Sequence, residues 1–319
     1  MVMTNKDFFP ISPIEIQTNV TLQFDVYLLR SNKFILYATN GEVFTEKHRS
    51  KLVEYEILDL YIPKYYEESF KSYLLENLGN ILNNPNISTK ERSKVFHKVT
   101  KETVNKLYSK YEYSVSEEEF DKIKAIVSTS INFLEDEMAL KNISELFQFD
   151  YVTFTHCLHV FTYALGLLMN EGYGEEELTD IGVGALLHDI GKKKISTKIL
   201  NKKEKLDNDE WNEIKQHPLY GISECKNINI SQYSTNCILF HHERYDGNGY
   251  PTGLRDIDIP LYVRVLTICD VYDAITSKRP YAEAQDPFYA LSTMSKMEGF
   301  FDQRLLEKFI KLLGNLRKY

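Results

Sequence analysis

Residues able to bind metal ions are concentrated in one part of this sequence. The chain has eight histidines in 319 residues, and six of them lie between positions 156 and 242. A single histidine on a helix is more often a core or surface residue than a metal ligand, so the interpretation depends on how histidines combine with carboxylates. The six clustered histidines are His156, His159, His188, His217, His241 and His242.

Two of these combinations follow apolar segments that predict helices. His188 and Asp189 end the first segment, in LLHDIGKKK. His241 and His242 end the second, in LFHHERYDGNGYP. An ionised carboxylate in apolar surroundings is unfavourable unless it is paired or binds a metal. The position of Asp189 beside an imidazole therefore indicates a metal site.

A third motif adds two carboxylates. Asp270 and Asp273 in ICDVYDAI are three residues apart and share one face of an apolar helix. With His156 and His217, and with Asp189 and Asp270 as the carboxylates, the ligand set becomes five imidazoles and two carboxylates, which suit iron, manganese or zinc better than calcium or magnesium. Seven ligands are too many for one ion that also binds water. The sequence therefore predicts two ions that share Asp189 as a bridging ligand.

Two metal ions in such a site can activate a water and stabilise both the attacking and the leaving oxygen during displacement at phosphorus. A phosphate ester is therefore the natural substrate. Metal ligation alone also fits an oxygenase or a structural site. The basic residues around the ligands favour the phosphate ester.

The motifs resemble the HD-GYP domain in both type and order. They are HDIGK at 188–192, QHP at 216–218, HHERYDGNGYP at 241–251 and CDVYDAITSKRPY at 269–281. The resemblance covers about half of the chain, from Tyr151 onward. It implies an all-helical hydrolase of the HD superfamily that acts on cyclic di-GMP.

The resemblance also implies roles for individual residues. Asp189 would bridge the two metal ions, iron or manganese, and together with Lys192 it would be catalytic. Substrate would be held by Lys192, Tyr250, Asp273 and Arg279. The metal ligands carried over from the family are His156, His188, Asp189, His217, His241, His242 and Asp270.

Two positions depart from the family pattern. Some members have a glutamate that binds a third metal one helical turn before the first histidine, but this chain has Val152 there. We therefore expect a dinuclear centre. Other members have a basic residue where this chain has Ala282. One phosphate contact is therefore expected to be missing.

Two functions follow from these observations. The first is an enzyme that hydrolyses cyclic di-GMP to linear pGpG, to GMP or to both. The second is a signalling module with little turnover that binds cyclic di-GMP or a partner such as a GGDEF-type protein. A different phosphate ester is a third, weaker possibility, because a fold does not determine a function.

Composition limits the other functions. The net charge of -8 and the pI of about 5.6 argue against binding to polymeric nucleic acid. Four cysteines without CxxC spacing predict reduced thiols and a cytoplasmic protein. No apolar run is long enough for a membrane helix, so we expect no membrane association. The lysines between Lys192 and Lys205 are typical of a solvated face, apart from Lys192 itself.

The chain is predicted to have an α+β region followed by an all-α region. Residues 1–85 form a small α+β sensory or interaction domain, 86–149 a helical linker that is a candidate homodimer interface, and 150–319 the HD-GYP domain. Helices in the last part are predicted at about 151–170, 175–190, 208–216, 218–227, 232–243, 260–277, 287–297 and 302–315.

Several residues near the motifs are interpreted as supporting rather than ligating. His159 is expected to be structural or solvent-facing. Glu243 is expected to accept a hydrogen bond from a ligating imidazole. Cys157 and Cys269 are expected to be small core residues.

Overall fold

The computed structural model describes residues 5–110, 114–147, 155–277 and 284–317. The chain divides into two compact units, Met1–Val99 and Thr100–Tyr319. The division falls within one long helix, Thr89–Ser109 (α4). The three sequence-based ranges, with limits at residues 85 and 149, remain a prediction.

The first unit contains a four-stranded antiparallel sheet with the order β1-β6-β3-β4, and a separate pair of strands, β2 and β5. Ser31 and Asn32 have positive φ angles and form the two-residue turn of the β3–β4 hairpin. The strands are Phe8–Ile11 (β1), Val20–Thr21 (β2), Val26–Arg30 (β3), Lys33–Ala38 (β4), Val43–Phe44 (β5) and Leu60–Pro63 (β6).

Strand β1 contains Pro10, which cannot donate a backbone hydrogen bond. The strand lies at the edge of the sheet, where a proline is tolerated. Three helices complete the unit: Glu46–Glu54 (α1), Glu67–Glu76 (α2) and Leu78–Leu82 (α3).

Aromatic side chains form the core of the first unit. The ring of Phe24 lies 5.2 Å from the ring of Phe70 and 5.2 Å from that of Tyr73, in edge-to-face contacts. Phe24 is fully buried, and Phe70 and Tyr73 are nearly so. Edge-to-face packing of this kind adds to the stabilisation from apolar burial.

The described part of the second unit is helical. Helix α7 is buried on all sides, which is typical of a central helix, and packs against α8 and α13. The helices that follow α4 are Glu117–Leu134 (α5), Glu137–Phe147 (α6), Thr155–Leu168 (α7), Glu175–Leu187 (α8), Thr197–Leu200 (α9), Asn208–Ile214 (α10), His217–Glu224 (α11), Gln232–Phe240 (α12), Leu261–Thr276 (α13), Pro287–Ser295 (α14) and Gln303–Arg317 (α15).

The helices predicted for residues 150–319 are present, but several end earlier than predicted. Helix α8 ends at Leu187 rather than near 190, and α12 ends at Phe240 rather than near 243. In these two cases the helix stops immediately before a histidine motif. Helix α6 lies in the range that is predicted as a helical linker. Among the described helices, none is long and apolar enough to cross a membrane.

Truncating the central ring of the first unit should destabilise it. We expect Phe24→Ala to lower the free energy of unfolding by about 3–5 kcal/mol, because it removes a fully buried ring and leaves a cavity. Urea denaturation followed by circular dichroism would measure the change. Leu58→Ala is the control, because Leu58 is 80% exposed and should change stability by less than about 0.5 kcal/mol. Equal effects of the two substitutions would contradict the prediction.

Candidate metal centre

The ends of several helices meet at one place and bring the predicted ligands together. His156 is in α7 and Asp270 is in α13. The other ligands lie at helix ends: His188 and Asp189 after α8, His217 at the start of α11, and His241 and His242 after α12. The donor atoms of these residues form two groups. In each group, all donor atoms lie within 4.8 Å of one another. The groups are Asp189, His217, His241 and His242, and His156, His188 and Asp270.

The turn that carries Asp189 lies directly on α11. A short 3-10 helix, Ile190–Lys194, continues from Asp189. A Cβ atom at Gly191 would lie 1.9 Å from the carbonyl oxygen of His217 and 2.4 Å from the backbone nitrogen of Gly221. Only glycine allows this approach, so Gly191 sets the spacing between Asp189 and His217.

A buried ion-pair group joins the same turn to α11. Lys193 Nζ lies 3.4 Å from Glu224 Oε2, and Lys194 Nζ lies 3.1 Å from Glu224 Oε1. Glu224 is 1% exposed and Lys193 is 7% exposed. The interpretation of the whole lysine run after Lys192 as a solvated face is therefore wrong for Lys193, because its charge is compensated inside the protein.

Hydrogen bonds to the backbone orient three of the imidazoles. Nδ1 of His188 lies 2.7 Å from the carbonyl oxygen of Ala185, and Nδ1 of His217 lies 2.7 Å from that of Ile214. Nδ1 of His241 lies 3.0 Å from the carbonyl oxygen of Ile238. Since a carbonyl oxygen only accepts, each Nδ1 must carry the hydrogen. The lone pair of each ring is therefore on Nε2, as a metal ligand requires.

These lone pairs face one another inside the protein. Nε2 of His217 lies 3.0 Å from Nε2 of His241. Nε2 of His188 and Oδ1 of Asp189 are buried without a hydrogen-bond partner. Buried acceptors that converge in this way repel one another unless a cation lies among them. The residues present therefore fit divalent metal ions.

The two oxygens of Asp189 face different histidines. Oδ1 lies 3.4 Å from Nε2 of His217 and 3.8 Å from Nε2 of His241. Oδ2 lies 3.6 Å from Nε2 of His188 and 3.9 Å from Nε2 of His156. A carboxylate placed between two histidine pairs is suited to bridge two ions.

Asp273 is deeply buried and is engaged by two histidines. Its Oδ2 lies 2.6 Å from Nδ1 of His156, and its Oδ1 lies 2.7 Å from Nδ1 of His159. Asp273 is 2% exposed. These contacts differ from the substrate contact that the family resemblance implies, because both oxygens already face imidazoles. His159 is 1% exposed and stacks on Phe147, so it is structural and not solvent-facing.

The electrostatics favour a neutral imidazole at His217 and at His242 and a protonated one at His156. Burial and the Lys192 ammonium lower the pKa of His217 to about 3, and burial lowers that of His242 to about 4. For His156, hydrogen bonds with Asp270 and Asp273 outweigh burial and raise the pKa to about 9.

The carboxylates and the adjacent thiol differ in protonation. Burial alone would raise the pKa of Asp189, but Lys192 and the histidines hold it well below its usual range. Burial and Asp189 raise the pKa of the Cys157 thiol. Although Cys157 lies near His188 and Asp189, its thiol donates a hydrogen bond to the Tyr108 hydroxyl at 3.2 Å. Both Cys157 and Cys269 are buried, as expected of core residues.

Two predicted substrate contacts lie beside the ligands. Lys192 Nζ lies 2.6 Å from Asp189 Oδ2, and the lysine side chain is 30% exposed. The Tyr250 ring stacks on the His242 imidazole at 4.8 Å. This stacking depends on Gly249, because a Cβ there would lie 2.6 Å from the carbonyl oxygen of His242.

Glu243 has a different role from the expected one. Its Oε1 accepts hydrogen bonds from the backbone and hydroxyl of Thr252, both at 2.7 Å, and from the backbone of Gly253 at 3.1 Å. Glu243 therefore holds the loop that carries Tyr250, instead of an imidazole. The sequence positions of Val152, Arg279 and Ala282 lie outside the described residues.

The part of the chain that carries this site is similar to known proteins. Residues 159–305 match the family described as HD domain. A cyclic di-GMP phosphodiesterase of Pseudomonas aeruginosa is 35% identical over 188 residues, which are 58% of this chain and 45% of the relative. The cyclic di-GMP phosphodiesterase response regulator RpfG of Xanthomonas campestris is 40% identical over 155 residues, 47% of this chain and 41% of the relative. The matches thus span less than half of these relatives.

A solved structure extends the likeness over the whole fold. An HDG"Y"P protein from Bdellovibrio bacteriovorus aligns with 97% of this chain and 100% of its own, with a TM-score of 0.66 and 19% identity. The predicted fold class, an α+β region followed by a helical HD domain, is confirmed. Residues 159–305, which lie in the second unit, thus contain an HD domain. The motifs at 188–192 and 241–251 resemble those of the HD-GYP family.

A methyl group at Gly191 should disrupt the centre. We expect Gly191→Ala to lower the free energy of unfolding by about 3 kcal/mol and to reduce metal uptake, because the clash is with backbone that cannot rotate away. Thermal unfolding and metal analysis of the purified protein would measure both effects. Gly314→Ala is the control: its Cβ meets nothing within 4 Å, and alanine in a helix should stabilise by up to about 1 kcal/mol. Wild-type stability of Gly191→Ala would contradict the close approach.

Proposed function

We propose that this chain hydrolyses the phosphodiester bonds of cyclic di-GMP with two divalent metal ions, iron or manganese, to give linear pGpG, GMP or both. The observation that carries the proposal is the position of Asp189, whose two oxygens face two separate histidine pairs. Sharing of one carboxylate by two ions is characteristic of centres that catalyse displacement at phosphorus.

We assign the ligands to the ions by the two groups of donor atoms. Asp189, His217, His241 and His242 would hold one ion. The second ion would be held by His156, His188 and Asp270, with Asp189 between the two. When bound, such ions activate a water and neutralise the charge that develops on the phosphate oxygens.

Residues of the chain itself would bind and orient the substrate. The Lys192 ammonium is close to the ligands and partly exposed, so it can pair with a phosphate oxygen. Burial raises the pKa of Tyr250, which keeps its hydroxyl protonated and able to donate a hydrogen bond. We assign Asp273 to orienting His156 through Nδ1, and keep Arg279 as a substrate contact on the basis of the family resemblance alone.

The choice of cyclic di-GMP rests on the relatives and the HD-GYP motifs. Both relatives described above are named as cyclic di-GMP phosphodiesterases. A cytoplasmic location suits four buried free cysteines. A GGDEF-type partner and a homodimer remain sequence-based predictions. The binding module with little turnover stays the second candidate, because Ala282 replaces a basic residue of the family pattern.

Hydrolysis can be tested directly. We expect protein loaded with ferrous iron or manganese to convert cyclic di-GMP to pGpG or GMP, as followed by chromatography. The double variant His188→Ala/Asp189→Ala should be inactive, because it removes ligands from both proposed ions. Tight binding of the nucleotide to protein with two bound metals, without any product, would favour the binding module instead.

The number of metal ions tests the ligand assignment separately. We expect about two ions per chain by elemental analysis of the loaded protein. Asp270→Ala should reduce this number, because Asp270 belongs to the second group only. Glu171→Ala is a matched control, since Glu171 pairs with Lys308 rather than with a ligand. A content of one or three ions in the unsubstituted protein would contradict the assignment.

A further inference from the structure

Trp211 in α10 is the single tryptophan of the chain and is 46% exposed. Isolated apolar side chains are common on protein surfaces, so exposure alone indicates no function. The location of Trp211 is more informative. Its ring centre lies 6.3 Å from that of Tyr250, at an angle of 80°.

Three aromatic rings form a series that leads from the metal centre to the surface. The Tyr250 ring stacks on His242, and Trp211 lies beside Tyr250. The His242 side chain is 25% exposed, and the residue Trp211, at the other end of the series, is 46% exposed. An aromatic surface is therefore available close to the proposed position of the reacting phosphate.

The position of Trp211 is fixed relative to a metal ligand. Asp207 caps the N-terminus of helix α10, and its side chain accepts hydrogen bonds from the backbone N–H groups of Asp209 and Glu210, both at 2.9 Å. The helix ends at Ile214, whose carbonyl oxygen accepts the hydrogen bond from Nδ1 of His217. Trp211 and the metal ligand His217 are thus connected through α10. A ligand that contacts both the metal centre and Trp211 would bind to side chains whose relative position is set by this helix.

We propose that Trp211 is a stacking surface for one purine base of the cyclic dinucleotide. This inference rests on the proposed phosphodiester substrate. In such a substrate each base is joined to the phosphates through one ribose, so a base must lie just outside the metal ligands when a phosphate is bound. Flat apolar rings bind purines by stacking, because every base presents a π face.

Fluorescence provides a direct test, because Trp211 is the only tryptophan. We expect cyclic di-GMP to quench tryptophan emission of the metal-loaded protein immediately after rapid mixing, and inorganic phosphate to leave it unchanged. This titration decides the inference even if no turnover follows. Nucleotide binding without a change in emission would overturn it.

Two substitutions separate stacking from a structural role. Trp211→Leu keeps apolar volume without a ring and should raise KM for cyclic di-GMP about 10-fold, with little change in kcat. Trp211→Phe keeps a ring and should remain within about 3-fold of the wild type. The inhibition constant for inorganic phosphate should be equal in all three proteins, because phosphate has no base.

The possible failures are distinct. If the wild type forms no linear product, the proposed function fails, and quenching alone decides whether Trp211 binds the base. If the wild type is active and Trp211→Leu has the same KM, the stacking surface is wrong. Weakened inhibition by phosphate in Trp211→Leu would also overturn it, because Trp211 would then act by holding the metal site in shape.

Discussion

The buried negative charge of Asp189 is the constraint on which the second unit depends. Its carboxylate lies among apolar helices, where an ionised group is stable only with compensating charge. Lys192 supplies one positive charge, and three histidines, His188, His217 and His241, supply lone pairs directed toward the same region. Bound cations would compensate the remaining negative charge and the converging lone pairs. The residues that the fold brings together around Asp189 are therefore the ones to which the metal chemistry is assigned.

The elements around this carboxylate are joined by contacts that leave little freedom. Gly191 lets one backbone segment touch another, and the buried Glu224 binds two lysines of the same turn. Glu243 holds the loop that carries Tyr250 by hydrogen bonds. None of these three residues is a proposed ligand. Gly191 and Glu224 position the turn that carries Asp189, and Glu243 positions Tyr250, a proposed substrate contact.

Much of the site could be predicted from the sequence because its chemistry is local. The pairs His188–Asp189 and His241–His242 stand at the ends of apolar segments, where type and spacing are visible without a structure. Contacts between distant segments were not visible in the same way. The pairing of Lys193 with Glu224 and the approach of Trp211 to Tyr250 depend on how helices pack, so neither was predicted.

The same distinction explains the errors in the fold. Helix ends at Leu187 and Phe240 were predicted too late, because the apolar pattern continues to the histidines while the hydrogen-bonded helix does not. Strand β1 contains Pro10, which is unfavourable in a strand until its edge position is known. The contacts of Asp273 with His156 and His159 were not predicted, because these histidines lie on another helix.

The hydrogen bonds from the histidines to Ala185, Ile214 and Ile238 also solve a general problem of helices. The last four carbonyl groups of a helix have no partner within it, and these three residues lie in the last turns of α8, α10 and α12. Each histidine therefore acts as a C-terminal cap as well as a candidate ligand. Preorganisation of the centre is thus a by-product of ending three helices, and little side-chain entropy remains to be lost when the ions bind.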